Sequence, residues 1–432
     1  MKGRTTTEMS SPIRSIRGMN DILPQDMHYW QSLEDTAVQV FAAYGFEQIR
    51  LPMLEKTEVF TRGIGSATDV VSKEMYSFND RNDESLSLRP EGTAGVVRAA
   101  LQNGLLYGQA RRLWYSGAMF RYERPQKGRS RQFHQIGAEL FGVPGPDADA
   151  EILMLGTQLW KSLGLHNLRL EINSLGNAHE RASYRDQLYS FLSAHKDELD
   201  EQTNERAERN PLRVLDSKDS KVRALLEDAP LLAEHLGEDS RRHYEQLKRY
   251  LDRLGIEFHE NSRLVRGLDY YCHTVFEWIT DELGAQGTVC AGGRYDNLIE
   301  LQGGKPWPGI GFAMGEERLV ELLRQKDDIV PPVKHGYLVA VGENSTESAL
   351  ELAYDLRAGV PDLHLITNLN GGSFKTQFKR ADRSDALFAL VLGEDEILNG
   401  KVTVKFLRSG EQQLSLTRDE IGNWVRSYIE AL

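Results

Sequence analysis

FRYERPQKGRSRQFHQIGAE, residues 120–139, gathers five cations, Arg121, Arg124, Lys127, Arg129 and Arg131, around Pro125 and Gly128. Proline and glycine this close together read as a turn. On either side, residues 112–120 (RLWYSGAMF) and 133–141 are aromatic and apolar with a period of two, the pattern of strands. The stretch predicts a β-hairpin with a basic tip, with Arg121 and Glu123 inside the strand. Arg121, Glu123, His134 and Gln135 are expected to face one side. Charge in a strand is costly unless paired or used, and guanidinium forks match phosphate oxygens bidentately. A nucleotide or a nucleic-acid backbone is the ligand that fits.

The whole chain bounds this reading. Its 432 residues suggest about three domains, and a net charge of -12 places any nucleic-acid contact on local basic patches, not on bulk charge. Two cysteines, Cys272 and Cys290, are too few and too far apart for a disulfide framework or a zinc site. A reducing cytoplasm is the simplest location. The N-terminal MKGRTTTEMSSPIRS has no apolar core and reads as a short disordered lead, not a secretory signal; no run is long enough to span a bilayer.

Taken in order, apolar spacing predicts a helix over 25–44 and a strand over 46–52 ending at Pro52. A hairpin of strands 74–78 and 85–88 turns at 80–83. It leads into Arg89-Pro90-Glu91-Gly92-Thr93 and a helix over 94–102. A carboxylate at that position suits either an ammonium ligand or the helix start it precedes. A turn at 144–149, a helix over 150–163 and a strand over 168–173 follow. Residues 178–254 are charge-rich and helical, and β character returns at 256–260, 263–265 and 274–279. Between these lies LVRGLDYY (264–271), and beyond them TVCAGGRYD (288–296), whose Gly292 and Gly293 suit close backbone approach to a ligand. Residues 310–319 (IGFAMGEERL) form a glycine-rich strand turning into a helix, a common phosphate-binding arrangement. After the Pro331-Pro332 linker, strands over 337–341, 364–367, 387–392 and 401–406 and helices over 346–356, 373–383 and 421–432 imply a small α/β domain with a largely parallel sheet. Lys375, Lys379, Arg380 and Arg383 fall at helical spacing as a basic stripe.

The hairpin resembles motif 2 of the class II aminoacyl-tRNA synthetases, and FRYERPQKGRSRQFHQ is similar to its form in the histidyl enzymes. The 25–52 segment resembles motif 1, which builds the dimer interface in that class, and 310–319 resembles motif 3. LVRGLDYY and TVCAGGRYD are similar to the two histidine signatures. The resemblance runs from about residue 16 onward. Glu316 and His273 depart from it, standing where leucine and arginine are common.

This resemblance implies an α+β catalytic domain with an antiparallel sheet over 1–330. A helical insertion at about 178–254, used against tRNA in the family, interrupts it, and an α/β anticodon-binding domain fills 331–432. No GxGxxG or P-loop motif argues for a Rossmann fold instead. It implies a histidine–tRNA ligase that is a homodimer: ATP, with Mg²⁺, activates histidine to the adenylate, and the histidyl group passes to the tRNA(His) 3′ end. Arg121 and Arg266 are implied at the α-phosphate and substrate carboxylate, Arg266 standing where other class II enzymes place a metal ion. Arg129 and Arg318 are implied at the outer phosphates, with Glu123 and Phe133 at the adenine. The histidine pocket is implied to use Glu91 for the α-amino group, with Thr93, Gln135, Tyr270, and Glu139 and Tyr271 for the imidazole. A site built to hydrogen-bond both ring nitrogens rejects other side chains by about 10⁴. Arg124, Gln126 and the basic stripe are implied to contact tRNA. No dedicated metal site is implied. Two other readings stay open: a non-catalytic regulatory subunit of histidine biosynthesis on the same core, and a synthetase for another amino acid.

Overall fold

A computed structural model describes residues 13–65, 68–217, 219–284, 287–326 and 329–432. Most of the expected N-terminal lead lies outside them. The chain separates into two compact units, one up to Ile329 and one from Val330 to Leu432.

The first unit is built on an eight-stranded sheet. Its strand order is Glu47–Gln48, Arg111–Phe120, Gln132–Phe141, Gly309–Gly315, Thr288–Arg294, Cys272–Ile279, Arg169–Ser174 and His259–Glu260. The six inner strands are antiparallel, and a two-residue strand runs parallel at each edge. Period-two alternation gives the sheet two different faces. One face carries Trp114, Ile136, Phe312, Met314 and Trp278 into a core shared with helices Met27–Ala43, Pro146–Ser162, Glu238–Leu254 and Glu316–Lys326. The other face is lined in its middle by small residues: register aligns Gly137 with Ala313, Ala313 with Ala291, and Gly311 with Gly293. Ala291, Ala313 and Gly315 form part of the floor of the site.

Several expectations change here. The strand ends at Phe120, so Arg121 and Glu123 lie beyond it, where Pro90 O and Arg129 meet their charge instead of a sheet neighbour. His134 and Gln135 are consecutive in the Gln132–Phe141 strand and point to opposite faces, as alternation requires. His134 pairs with Glu317 behind the sheet at 3.0 Å, while Gln135 turns to the small-residue face. Of the predicted 46–52 strand only Glu47–Gln48 pairs, and 263–265 forms no strand. The helix expected from residue 150 starts at Pro146, a residue preset for the first helical position, with Asp147 and Asp149 in its first turn.

Residues 178–254 are helical, and their apolar side chains enter the core. Tyr184, Leu188, Val214 and Leu215 share a buried cluster with Leu264, Tyr270 and Tyr271.

The second unit has a five-stranded sheet in the order Leu365–Thr367, Gly336–Ala340, Phe388–Leu392, Lys401–Phe406, Leu414–Thr417. It is mixed, not largely parallel. The first three strands are parallel, but the links at 393–400 and 407–413 are too short for a crossover and force antiparallel pairing. The Glu394–Leu398 helix and the Leu414–Thr417 strand were not anticipated. Among the described residues no helix is long and apolar enough to cross a membrane.

Candidate active site

The small-residue floor opens into a cavity of about 410 Å³. Arg121, from just past the hairpin strand, and Arg266, from the loop before the Cys272–Ile279 strand, both line it. So do Glu91, Thr93, Glu123, Arg129, Phe133, Gln135, Tyr270, Tyr271 and Arg318. Residues spread over more than two hundred positions of sequence thus converge on one space.

Each is held for an identifiable reason. Arg121 Nε donates to Pro90 O at 2.9 Å, and its guanidinium lies 5.3 Å from the Phe133 ring centroid. Arg129 Nη1 donates to Glu123 Oε2 at 3.2 Å, so these two charges steady each other across the hairpin. Arg318 Nε reaches Gly128 O at 3.3 Å and its Nη1 donates to Thr288 O, tying the helix start to the tip. Arg266 Nη1 stands 3.3 Å from Glu277 Oε2, while its Nε is buried without a partner. Burial raises the Glu277 carboxyl above its ordinary pKa, with Arg266 opposing that rise.

Glu91 takes the helix-start role and lies at the cavity wall as well. Its carboxylate accepts from Thr93 N at 2.7 Å and Ala94 N at 2.9 Å, at the start of the Thr93–Gln102 helix, and it also faces the cavity. Burial raises its pKa against those two amide bonds. Gln135 presents a buried Oε1 with no protein partner at the same wall.

Glu139 sits one layer lower. It is fully buried, accepts from Thr93 Oγ1 at 2.7 Å and from the Tyr295 hydroxyl, and does not line the cavity. Burial pushes its pKa up to about 8. Tyr271, which does line the cavity, is pushed up to about 12 by burial, so its hydroxyl keeps its proton at neutral pH. The Gly292–Gly293 pair lies outside the cavity lining and is needed for packing between strands: a Cβ at Gly292 would collide with Gly311 O and fall 2.7 Å from Phe276, and one at Gly293 would fall 2.6 Å from Thr274 O and 2.9 Å from Tyr271. Arg294 in that motif is wholly buried, bridging Asp149, Asp296 and the carbonyls of Val143 and Gly145.

Arg124 and Gln126 are exposed at the hairpin tip and outside the cavity. Arg131 lies over the Tyr122 ring at 4.0 Å, and Lys127 pairs with Glu321 at 3.1 Å. In the second unit, Lys375, Lys379 and Arg383 are exposed along the Phe374–Arg383 helix. Arg380, exposed as well, donates to Asn368 Oδ1 and Gly371 O, each at 3.0 Å, and secures the preceding loop.

Comparison with known proteins gives the same picture. Residues 18–319 match the family model described as histidyl-tRNA synthetase, and residues 329–428 match that of the anticodon binding domain. The chain belongs to the histidyl-tRNA synthetase family. Apo S. aureus histidyl-tRNA synthetase is similar at 34% identity and TM-score 0.79, over 96% of this chain and 100% of that one. Histidyl-tRNA synthetase from Nostoc sp. PCC 7120 shares the fold at 21% identity and TM-score 0.68, covering 97% and 100%. A Bacillus halodurans protein described as an ATP phosphoribosyltransferase regulatory subunit/histidyl-tRNA synthetase shares it at 22% and 0.66, covering 89% and 99%. The architecture is that of the family: a class II catalytic domain followed by an α/β anticodon-binding domain.

Within this family frame, three site residues escaped the sequence. Tyr295 holds Glu139 but reads as one aromatic at the end of a glycine motif. Tyr115 fills the space above Gly92 and Gly137, where a Cβ at either would strike its ring. Arg213, from the helical insertion, reaches the cavity wall. Only the period-two position of Tyr115, on the same face as Gly117, gave any advance signal.

Proposed function

We propose that the chain is a histidine–tRNA ligase: it condenses L-histidine with ATP to histidyl-adenylate and pyrophosphate, then transfers the histidyl group to the 3′ end of tRNA(His). The observation that carries this reading is the single cavity lined by Arg121 and Arg266 together with Glu91, Gln135 and Tyr271. A histidine carboxylate oxygen attacks the α-phosphorus, forming the new O–P bond as the bond to the pyrophosphate oxygen breaks. Charge builds on the phosphoryl oxygens during that exchange, so fixed cations and alignment supply most of the rate. Arg121 and Arg266 are suited to neutralise it, Arg129 and Arg318 to hold the outer phosphates, and Phe133 to stack on adenine beside Glu123. Mg²⁺ arrives with ATP as part of that substrate. Glu91, pinned at a helix start, with Thr93 beside it, and the unpartnered Gln135 Oε1 suit the α-ammonium group. Tyr271, with Tyr270 packed against it, offers a hydroxyl to the imidazole, and Glu139, one layer below, is suited to hold Thr93 and Tyr295 in place beneath that pocket.

The catalytic domain up to about residue 330 and the anticodon-binding domain from 331 would then work on one tRNA. Arg124, Gln126, Lys375, Lys379 and Arg383 would meet its phosphates, with Arg380 shaping the loop beside them. A cytoplasmic homodimer is part of this proposal. The second reading, a regulatory subunit, is favoured by the description of the Bacillus halodurans neighbour. Against it stand Arg121, Arg129, Arg266 and Arg318 around one cavity and the match to an anticodon domain. Histidine-dependent exchange of pyrophosphate into ATP by purified protein decides between them. Exchange with histidine, and none with proline, threonine or glycine, is expected; no exchange with any would remove the enzyme reading.

A further inference from the structure

The loop carrying Arg266, Tyr270 and Tyr271 has no secondary structure of its own: residues 264–271 form neither helix nor strand. A cleft of about 360 Å³ runs behind it, so side-chain packing does not fill the space on that side. Three side chains of the helical insertion line this cleft and bond to the loop. Arg213 Nη2 donates to Gly267 O at 2.5 Å and stands 3.4 Å from Asp269 Oδ1. Asn210 Nδ2 reaches the same carboxylate oxygen at 3.4 Å, and Arg181 Nη1 donates to Tyr271 O. On its other side the loop is gripped at the same residue. Asp269 N donates to Ile64 O at 3.1 Å. Gly65, at φ 97°, brings its backbone so close that an added Cβ would sit 3.1 Å from Asp269 Cβ.

We propose that Arg213 and Asp269 are positioning residues: through them the helical insertion sets where Arg266 and Tyr271 point, making the insertion part of the histidine-activation machinery. This rests on the ligase reading above. An irregular loop has no ladder to fix it, so its carbonyls and its one carboxylate must be held by outside donors if the cations it carries are to stay aimed. The Arg213–Asp269 pair is also partly exposed, at 21% and 38% of the side chains, so it adds little to global stability and its loss should be felt locally.

The test uses the full chain with Arg213→Ala, Arg213→Lys, Asp269→Ala and the double alanine variant. Each single alanine change is expected to lower kcat/KM for histidine about 10- to 100-fold in pyrophosphate exchange, with the KM for ATP within about twofold of normal. Lysine at 213, which restores one donor, should recover part of the loss. Because both residues act on one loop, the double variant should be no worse than the poorer single variant by more than about twofold. Hydrogen–deuterium exchange of peptides covering 264–271 should be faster in every alanine variant. Losses that multiply in the double variant would instead make Arg213 a direct substrate contact and overturn the proposal, as would unchanged protection of 264–271. If the unaltered protein shows no histidine-dependent exchange, the ligase reading fails and the loop's amide protection alone decides whether the insertion holds it.

Discussion

Replacing Arg266 by alanine separates a catalytic from a structural role for this side chain. Its guanidinium is 3.3 Å from Glu277 and 21% exposed, and Glu277 is 18% exposed. Breaking a fully buried pair by deleting one partner costs about 3–5 kcal/mol. Here Thr288 Oγ1 still donates to Glu277 Oε2 at 3.2 Å. Burial already raises the carboxyl pKa and Arg266 opposes that rise, so losing Arg266 shifts Glu277 further toward its neutral form. The stability loss should therefore be about 1–2 kcal/mol, leaving the protein folded. Removing one preorganised cation from the developing phosphoryl charge should cost about 10²–10³ in rate. The assay is rapid-quench measurement of histidyl-adenylate formation in a single turnover at saturating ATP and histidine, alongside urea unfolding. Glu277→Gln is the control, because it removes the ion pair but keeps Arg266, and it should lower the rate by no more than about fivefold. A single-turnover rate within about threefold of normal for Arg266→Ala, or an equal loss in both variants, would refute the reasoning.

Other substitutions probe other parts of the site. Glu139→Leu should raise the KM for histidine about 10- to 100-fold with little change in that for ATP, since Thr93 Oγ1 and the Tyr295 hydroxyl both lose the group that holds them beneath the pocket; equal losses for both substrates in steady-state kinetics would count against the pocket. Gly315 faces the cavity, and a Cβ there meets nothing within 4 Å. Gly315→Val should therefore keep the melting temperature while weakening ATP binding at least tenfold by calorimetry. Glu316 is buried, accepts from Ser116 Oγ at 3.1 Å, and has its pKa pushed up to about 8 by burial. A raised carboxyl pKa contributes stability that is complete below about pH 4.5 and is lost as pH rises through about 8, by at most about 5 kcal/mol. Glu316→Leu should flatten that decline between pH 6 and 8.5 in urea titrations, and an unchanged slope would show that Glu316 is not its source.

The sequence was most readable where local pattern and three-dimensional position coincide. Alternation in 112–120 and 133–141 marked both strands of the hairpin, because period two is a property of neighbouring residues. The same rule, applied one step further, separates His134 from Gln135, and grouping them by chemistry put them on one side in error. What the sequence hid was depth. Glu139 and Tyr271 both belong to recognisable motifs, yet only Tyr271 reaches the cavity, because Thr93 and Tyr295, distant in sequence, hold Glu139 beneath the surface. The glycines of the second signature looked ready for a ligand. They make room for Phe276, the register partner of Gly292, and for Tyr271 beside Gly293, neighbours that only the folded chain reveals. The charge-rich 178–254 segment read as a helical insertion with sparse apolar residues, and nothing in it marked Val214 and Leu215 as part of the core that holds Leu264, Tyr270 and Tyr271.

The central claim is that guanidinium groups from two distant segments act on one phosphorus beside a pocket for an imidazole. A crystal structure of the protein with a non-hydrolysable histidyl-adenylate analogue tests it most directly. The account predicts Arg121 and Arg266 each within about 3 Å of a non-bridging oxygen at the α-phosphate position, with the imidazole against Tyr271. An analogue bound with either guanidinium turned away from that group would contradict it.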